Sequence, residues 1–95
     1  MHGHELIERE RKRQIDQEGF DSQHDDAYHD SELEMAASCY LDHAIDPVAT
    51  AGCAPSWPWD AAWFRPRNEL DALVKAGALI AAAIDRRLRL GESPA

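Results

Sequence analysis

Cysteine is scarce in this chain. Cys39 and Cys53 are the two in 95 residues. They form neither a CxxC metal or redox pair nor a disulfide framework, which fits reduced thiols in a cytoplasm. The five glycines are scattered, so there is no phosphate-cradling P-loop and no dinucleotide fingerprint, and no GxSxG elbow is present. Long apolar runs are missing as well. The longest, Ala76 to Ile84, falls far short of the ~20 residues a membrane span needs. The opening Met1-His2-Gly3-His4-Glu5 has no basic stretch followed by an apolar one, so no secretion signal is expected. Positive charge is also short: ten Lys/Arg face eighteen Asp/Glu, a net charge of −8. That balance repels phosphate backbones and argues against direct nucleic-acid binding.

What remains is enough for one domain spanning 1–95. With 44% hydrophobic residues and 29% charged, the chain reads as globular, and a fold of this size buries about two-thirds of its unfolded surface. Charge is unevenly placed. Residues 1–46 carry thirteen acidic and four basic side chains and all five histidines, whereas 47–95 carry five and six. The acidic half suits a solvated surface, docking on a basic protein, or a cation.

The pattern predicts an all-α fold of three main helices with a long structured loop. The first helix is expected over about 4–18, with favourable i,i+4 pairs Glu5–Arg9 and Glu8–Lys12. Its apolar face is thin (Leu6, Ile7, Ile15), and Gly19 suits a left-handed ending with Phe20 folding back. The second is expected over about 32–44, opened by a Ser31/Glu34 capping box and stopped before Pro47. Its stripe is Leu33, Ala36, Ala37, Tyr40, Leu41 and Ala44, with Cys39 read as core. Residues 46–67 form a loop holding Pro47, Pro55, Pro58, Pro66 and all three tryptophans, with Asp60 capping one short turn. The third helix, about 69–90, is capped by Asn68 and ended by Gly91, with Arg86, Arg87 and Arg89 at its carboxyl end. Leu70, Leu73, Val74, Gly77, Ile80, Ala81, Ile84 and Leu88 fall on one face. Its Ala76–Ile84 run needs more than one cover, and Gly77 would let a second helix come close. A homo-oligomer is therefore expected.

Two constellations could carry chemistry. The first is the polar loop His24-Asp25-Asp26-Ala27-Tyr28-His29-Asp30. Imidazole with carboxylate suits a divalent transition metal, yet His24 and His29 match no two-histidine helix motif. A turn cap with histidine hydrogen bonds explains the same residues structurally, and a ligand oriented by His24, Asp25, Asp26 and His29 is the functional alternative. The second is Trp57-Pro58-Trp59 with Trp63, Phe64, Arg65 and Arg67. Rigid indoles can stack on a planar base while arginine forks meet phosphate. Trp57 or Trp59 is expected to stack, with Trp63 in the core. Lys75, set inside the apolar third helix, reads as an ion pair or a phosphate contact.

The blocks EGF-DSQHDDAYHD-SELEMAASCY, WPWDAAWF-RP and LVKAGALIAAAIDR, in that order, resemble a family of short proteins encoded by bacteriophages and prophages. The resemblance runs from Glu8-Arg9 to Arg86. It implies a cytoplasmic accessory protein of an infected or lysogenic bacterium, among which small oligomers that act as sponges for immune signalling nucleotides are known. A fainter similarity is to MazG-like all-α nucleotide pyrophosphohydrolases, which hold magnesium on an EExxE block and a later acidic pair. Here the counterparts are fragments: Glu32 and Glu34 on the second helix, Glu69, Asp71 and Asp85 on the third.

The leading expectation is a module that binds a nucleotide-like small molecule without catalysis, through His24, Asp25, Asp26, His29, Trp57, Trp59, Arg65, Arg67 and Lys75, and with no cofactor. The alternative is an acidic inhibitor or regulator docking on a basic host protein, in an anti-CRISPR-like or other anti-defence role. A MazG-like hydrolase using magnesium is the third reading.

Overall fold

The computed structural model describes residues 1–19, 21–26, 31–48 and 55–93. Four α-helices and a single 3₁₀ turn make up its regular structure: α1 Gly3–Glu18, α2 Ser22–Asp26, α3 Glu32–Ile45, the turn Ala61–Trp63, and α4 Glu69–Arg89. No strand occurs among the described residues, so the fold is all-α. Helices α1, α3 and α4 match the three expected helices to within one or two residues. Helix α2 was expected as loop; its first turn closes because the Asp21 carboxylate accepts from the His24 N–H at 2.9 Å. His29, Phe20 and Cys53 lie outside the described residues.

The ends of the helices follow local chemistry. Gly19 takes φ 74° and its N–H reaches Gln14 O, the left-handed ending that a glycine accommodates without strain. The Glu5 carboxylate turns back to the His2 N–H at 2.8 Å, and Glu8 pairs with Lys12 at 3.2 Å. Asn68 accepts from the Asp71 N–H at 2.8 Å and opens α4. The Ser31 cap does not form. Ser31 sits at φ 63° and its hydroxyl makes no capping bond, because capping requires an extended residue at that position.

Helix α4 is the hub, packed by α3, α1 and α2. Helices α3 and α4 run antiparallel, with Glu34 near the start of one bonded to Arg87 near the end of the other at 2.9 Å. Their interface holds Leu33, Ala36, Ala37, Cys39 and Tyr40 from α3 against Ala72, Ala76, Leu79, Ala82 and Ala83 from α4. The buried face of α4 is thus its alanine side. Leu70, Leu73, Ile80, Ile84 and Leu88, expected to face the core, are exposed. Alanines let backbones approach closely, so a neighbour docked there is held by more contacts per turn than bulky side chains allow. Gly77 also plays a different part from the one expected. A Cβ there would lie 2.6 Å from Cδ1 of Ile7, so Gly77 receives α1 of its own chain.

Candidate functional site

The site grows from the segment after Pro55. Asp60 accepts from the Ala62 N–H at 2.9 Å and closes the Ala61–Trp63 turn. Trp57 precedes that turn and folds inward. It is 8% exposed and its indole N–H donates to Asp60 O at 3.0 Å. Its ring meets Tyr40, Trp59 and Phe64 edge-on, with centroids 5.0–5.5 Å apart. Trp63, expected in the core, is instead 50% exposed. The two indoles exchange roles for a geometric reason: the 3₁₀ turn aims Trp63 outward, whereas the extended Ser56–Trp59 stretch lies along α3, with Ser56 Oγ 3.4 Å from Cys39 Sγ.

Tyr40 and Lys75 latch this segment onto the helices. The Tyr40 hydroxyl accepts from the Arg65 N–H at 3.2 Å and donates to Trp63 O at 3.4 Å. Burial, partly opposed by that Arg65 N–H, pushes the phenol above its ordinary pKa. The Lys75 ammonium donates to Arg65 O at 2.6 Å and pairs with Asp71 at 3.0 Å. Asp71 also accepts from the Arg67 N–H at 2.9 Å. Burial alone would raise the Asp71 carboxyl, but these donors outweigh it and hold it below its usual value. Lys75 is therefore an ion pair and a clamp on the loop.

Between this loop and α1 lies a cleft of about 380 Å³, within the range of small-molecule sites. The loop supplies Trp57, Trp59, Trp63, Arg65 and Arg67 as one wall; Tyr40, Lys75 and Leu79 lie beneath. The other wall is the polar side of α1: Glu10, Arg13, Gln14, Gln17 and Glu18. Five of the nine expected ligand residues thus meet in one place, joined by α1 residues that the sequence did not single out.

The electrostatics of the cleft are specific. Arg13 grips Glu10 through two bonds of 2.7 and 2.8 Å and touches Glu18 at 3.2 Å. Its guanidinium is raised above its ordinary value chiefly by the Glu10 bond. Glu10 and Gln14 are buried although polar. The Gln14 amide nitrogen donates to Glu10 at 3.2 Å, which turns its oxygen the other way. That oxygen is enclosed and has no hydrogen-bond partner. Leaving it so costs about 1–3 kcal/mol. Glu10 and Glu18 both pair with Arg13, and Asp71 serves both Lys75 and Arg67. Four cations against three carboxylates leave one positive charge in a protein of net −8. Arg65, whose Nε donates to Ala62 O at 2.8 Å, sits at the exposed lip with its terminal nitrogens beyond that bond.

The polar loop goes elsewhere. His24, Asp25 and Asp26 lie on α2 and do not line the cleft. Asp25 is fully buried and bonded to Arg11 at 3.2 Å, with His24 Nδ1 at 3.1 Å from its other oxygen. Asp26 forms a forked pair with Arg89, closest at 2.7 Å, and that bond holds its carboxyl below the usual value. These contacts tie α2 to α1 and α4. Among the described residues, no three His, Cys, Asp or Glu side chains converge as a metal site would require. Two of the five carboxylates compared with a pyrophosphohydrolase are engaged internally, Glu34 by Arg87 and Asp71 by Lys75. No helix among the described residues is long and apolar enough to cross a membrane. No protein-family model matches the chain, and no curated protein or solved structure matches it significantly.

Proposed function

We propose that this protein binds a small, nucleotide-like molecule, carrying a flat ring and an anionic group, in the Trp/Arg cleft and releases it unchanged. The observation that carries the reading is the half-exposed Trp63 indole in a cleft that also presents Arg65 at its lip. The ring itself stacks on Trp63, with Trp59 beside it, and Arg65 meets the anionic group through its fork. The catalytic alternative has little in its favour, because the carboxylates around the cleft are already bonded to Arg13, Lys75 and Arg67. In a phage-infected cell such a protein would sequester a signalling nucleotide.

Docking of the acidic half on a basic host protein is the second reading. Its support is the charge asymmetry, yet Glu10, Asp25, Asp26 and Glu34 each spend their charge on an arginine of the same chain. Equilibrium dialysis against linear and cyclic mono- and dinucleotides, with recovery of the bound fraction, separates the readings. Retention of an intact nucleotide supports sequestration, recovery of a cleaved one selects the hydrolase, and no retention removes the small-ligand account.

A further inference from the structure

Opposite the cleft the molecule presents an apolar face that the described residues leave uncovered. Leu73, Ile80 and Ile84 of α4 and Leu41 and Ile45 of α3 are each between 42% and 73% exposed. A groove of about 450 Å³ runs between the two helices, walled by Leu41, Ile80 and Ile84 over the small residues Ala37 and Ala83. The antiparallel pairing places Leu41 beside Ile80, and Ile45 at the same end as Leu73. The face is therefore one strip along both helices.

From this strip we propose that the protein forms a two-fold homodimer through α3 and α4. Three features point to a second copy as the occupant. The strip is self-complementary, since the Ile80–Ile84 ridge of one copy fits the groove between the ridges of the other, as ridges seat in grooves when helices cross. At one end of the strip Glu34 and Arg87 pair at 2.9 Å, so a charge of each sign stands at the groove for a second copy to meet. The exposed aliphatic surface of two copies is on the order of 1,000 Å² before any rim is added, close to the lower limit of a specific interface.

The dimer is independent of the ligand reading. Lys75 beneath the cleft and Ile84 on the strip are nine positions apart, about two and a half turns, and so lie on opposite sides of α4. Both clefts stay open to solvent in the dimer. Light scattering of the full chain at high micromolar concentration should give twice the 10.7 kDa chain mass. Ile84→Glu and Leu41→Glu, made separately, should each return the mass to that of one chain, with helical circular dichroism retained because both side chains are half exposed. Nucleotide retention by these variants should equal that of the unaltered protein. A single-chain mass for the unaltered protein overturns the proposal, and so does a dimer that survives both substitutions.

Discussion

Replacing Trp57 by alanine should be the most destabilising single change in the loop, and replacing Trp63 among the mildest. Trp57 is enclosed by Tyr40, Trp59 and Phe64, three ring contacts within 5.5 Å, and its N–H bond anchors the Asp60 carbonyl at 3.0 Å. Truncating a buried Trp costs about 3–5 kcal/mol. In a domain this small each kcal/mol moves the melting temperature by about 4–8 °C, so a fall of at least ~12 °C is expected. Total stabilities run about 5–15 kcal/mol, so the variant stands near the edge of folding. Trp57→Phe, which keeps a ring but loses the N–H, should recover most of the loss. Trp63 is half exposed, and Trp63→Ala should cost less than about 1 kcal/mol. Thermal and urea unfolding followed by ellipticity measure all three. Equal losses for Trp57→Ala and Trp63→Ala, or a larger loss for Trp63, would refute the placement of the two rings.

Gly77→Leu should lower stability by about 1–3 kcal/mol by pushing Ile7 and α1 away, and hydrogen exchange should show the loss concentrated in residues 3–18. Asp71→Asn should loosen the loop by weakening the Lys75 clamp, at a cost of about 2 kcal/mol, and raise tryptic cutting after Arg67. Asp26, Glu34 and Asp71 have folded pKa values below their ordinary ones. Their contribution is therefore present above the ordinary carboxylate range and lost as pH falls through the lowered values. Unfolding midpoints should be level near neutrality and drop below about pH 4; a rise in stability on acidification would contradict those pairings. Asp26→Ala should leave nucleotide retention unchanged, since Arg89 and not the cleft is its neighbour.

Local chemistry was legible at most helix ends, though not at Ser31, whose cap does not form, nor at Asp21, which closes α2. Gly19, Asn68, Asp60 and the arginines at the end of α4 signalled their roles through spacing alone. Position in the tertiary structure was less so. Helix α4 carries two usable stripes, one of alanines and one of large aliphatics, and periodicity cannot rank them. The packing chose the alanines because α3 and α1 approach more closely there. The tryptophans were recognisable as a cluster, but which ring turns inward depends on the direction of a three-residue turn. Glu10 and Gln14 gave no signal, because a polar residue on a polar helix reads as solvated until a loop folds over it. Asp25 and Asp26 stood out for their density, yet their chemistry is spent on Arg11 and Arg89, which lie far away in sequence.

The central claim is that the cleft holds a flat-ringed anion against Trp63 and Arg65. The direct measurement is a tryptophan-fluorescence titration with the best-retained nucleotide, on the unaltered protein and on Trp63→Ala and Arg65→Gln. Loss of the stacking ring should weaken binding by about 5- to 150-fold, as expected for about 1–3 kcal/mol per base. Arg65→Gln should weaken it as well while leaving the melting temperature level, since Arg65 lies exposed at the lip of the cleft. Affinities unchanged in both folded variants would contradict the account.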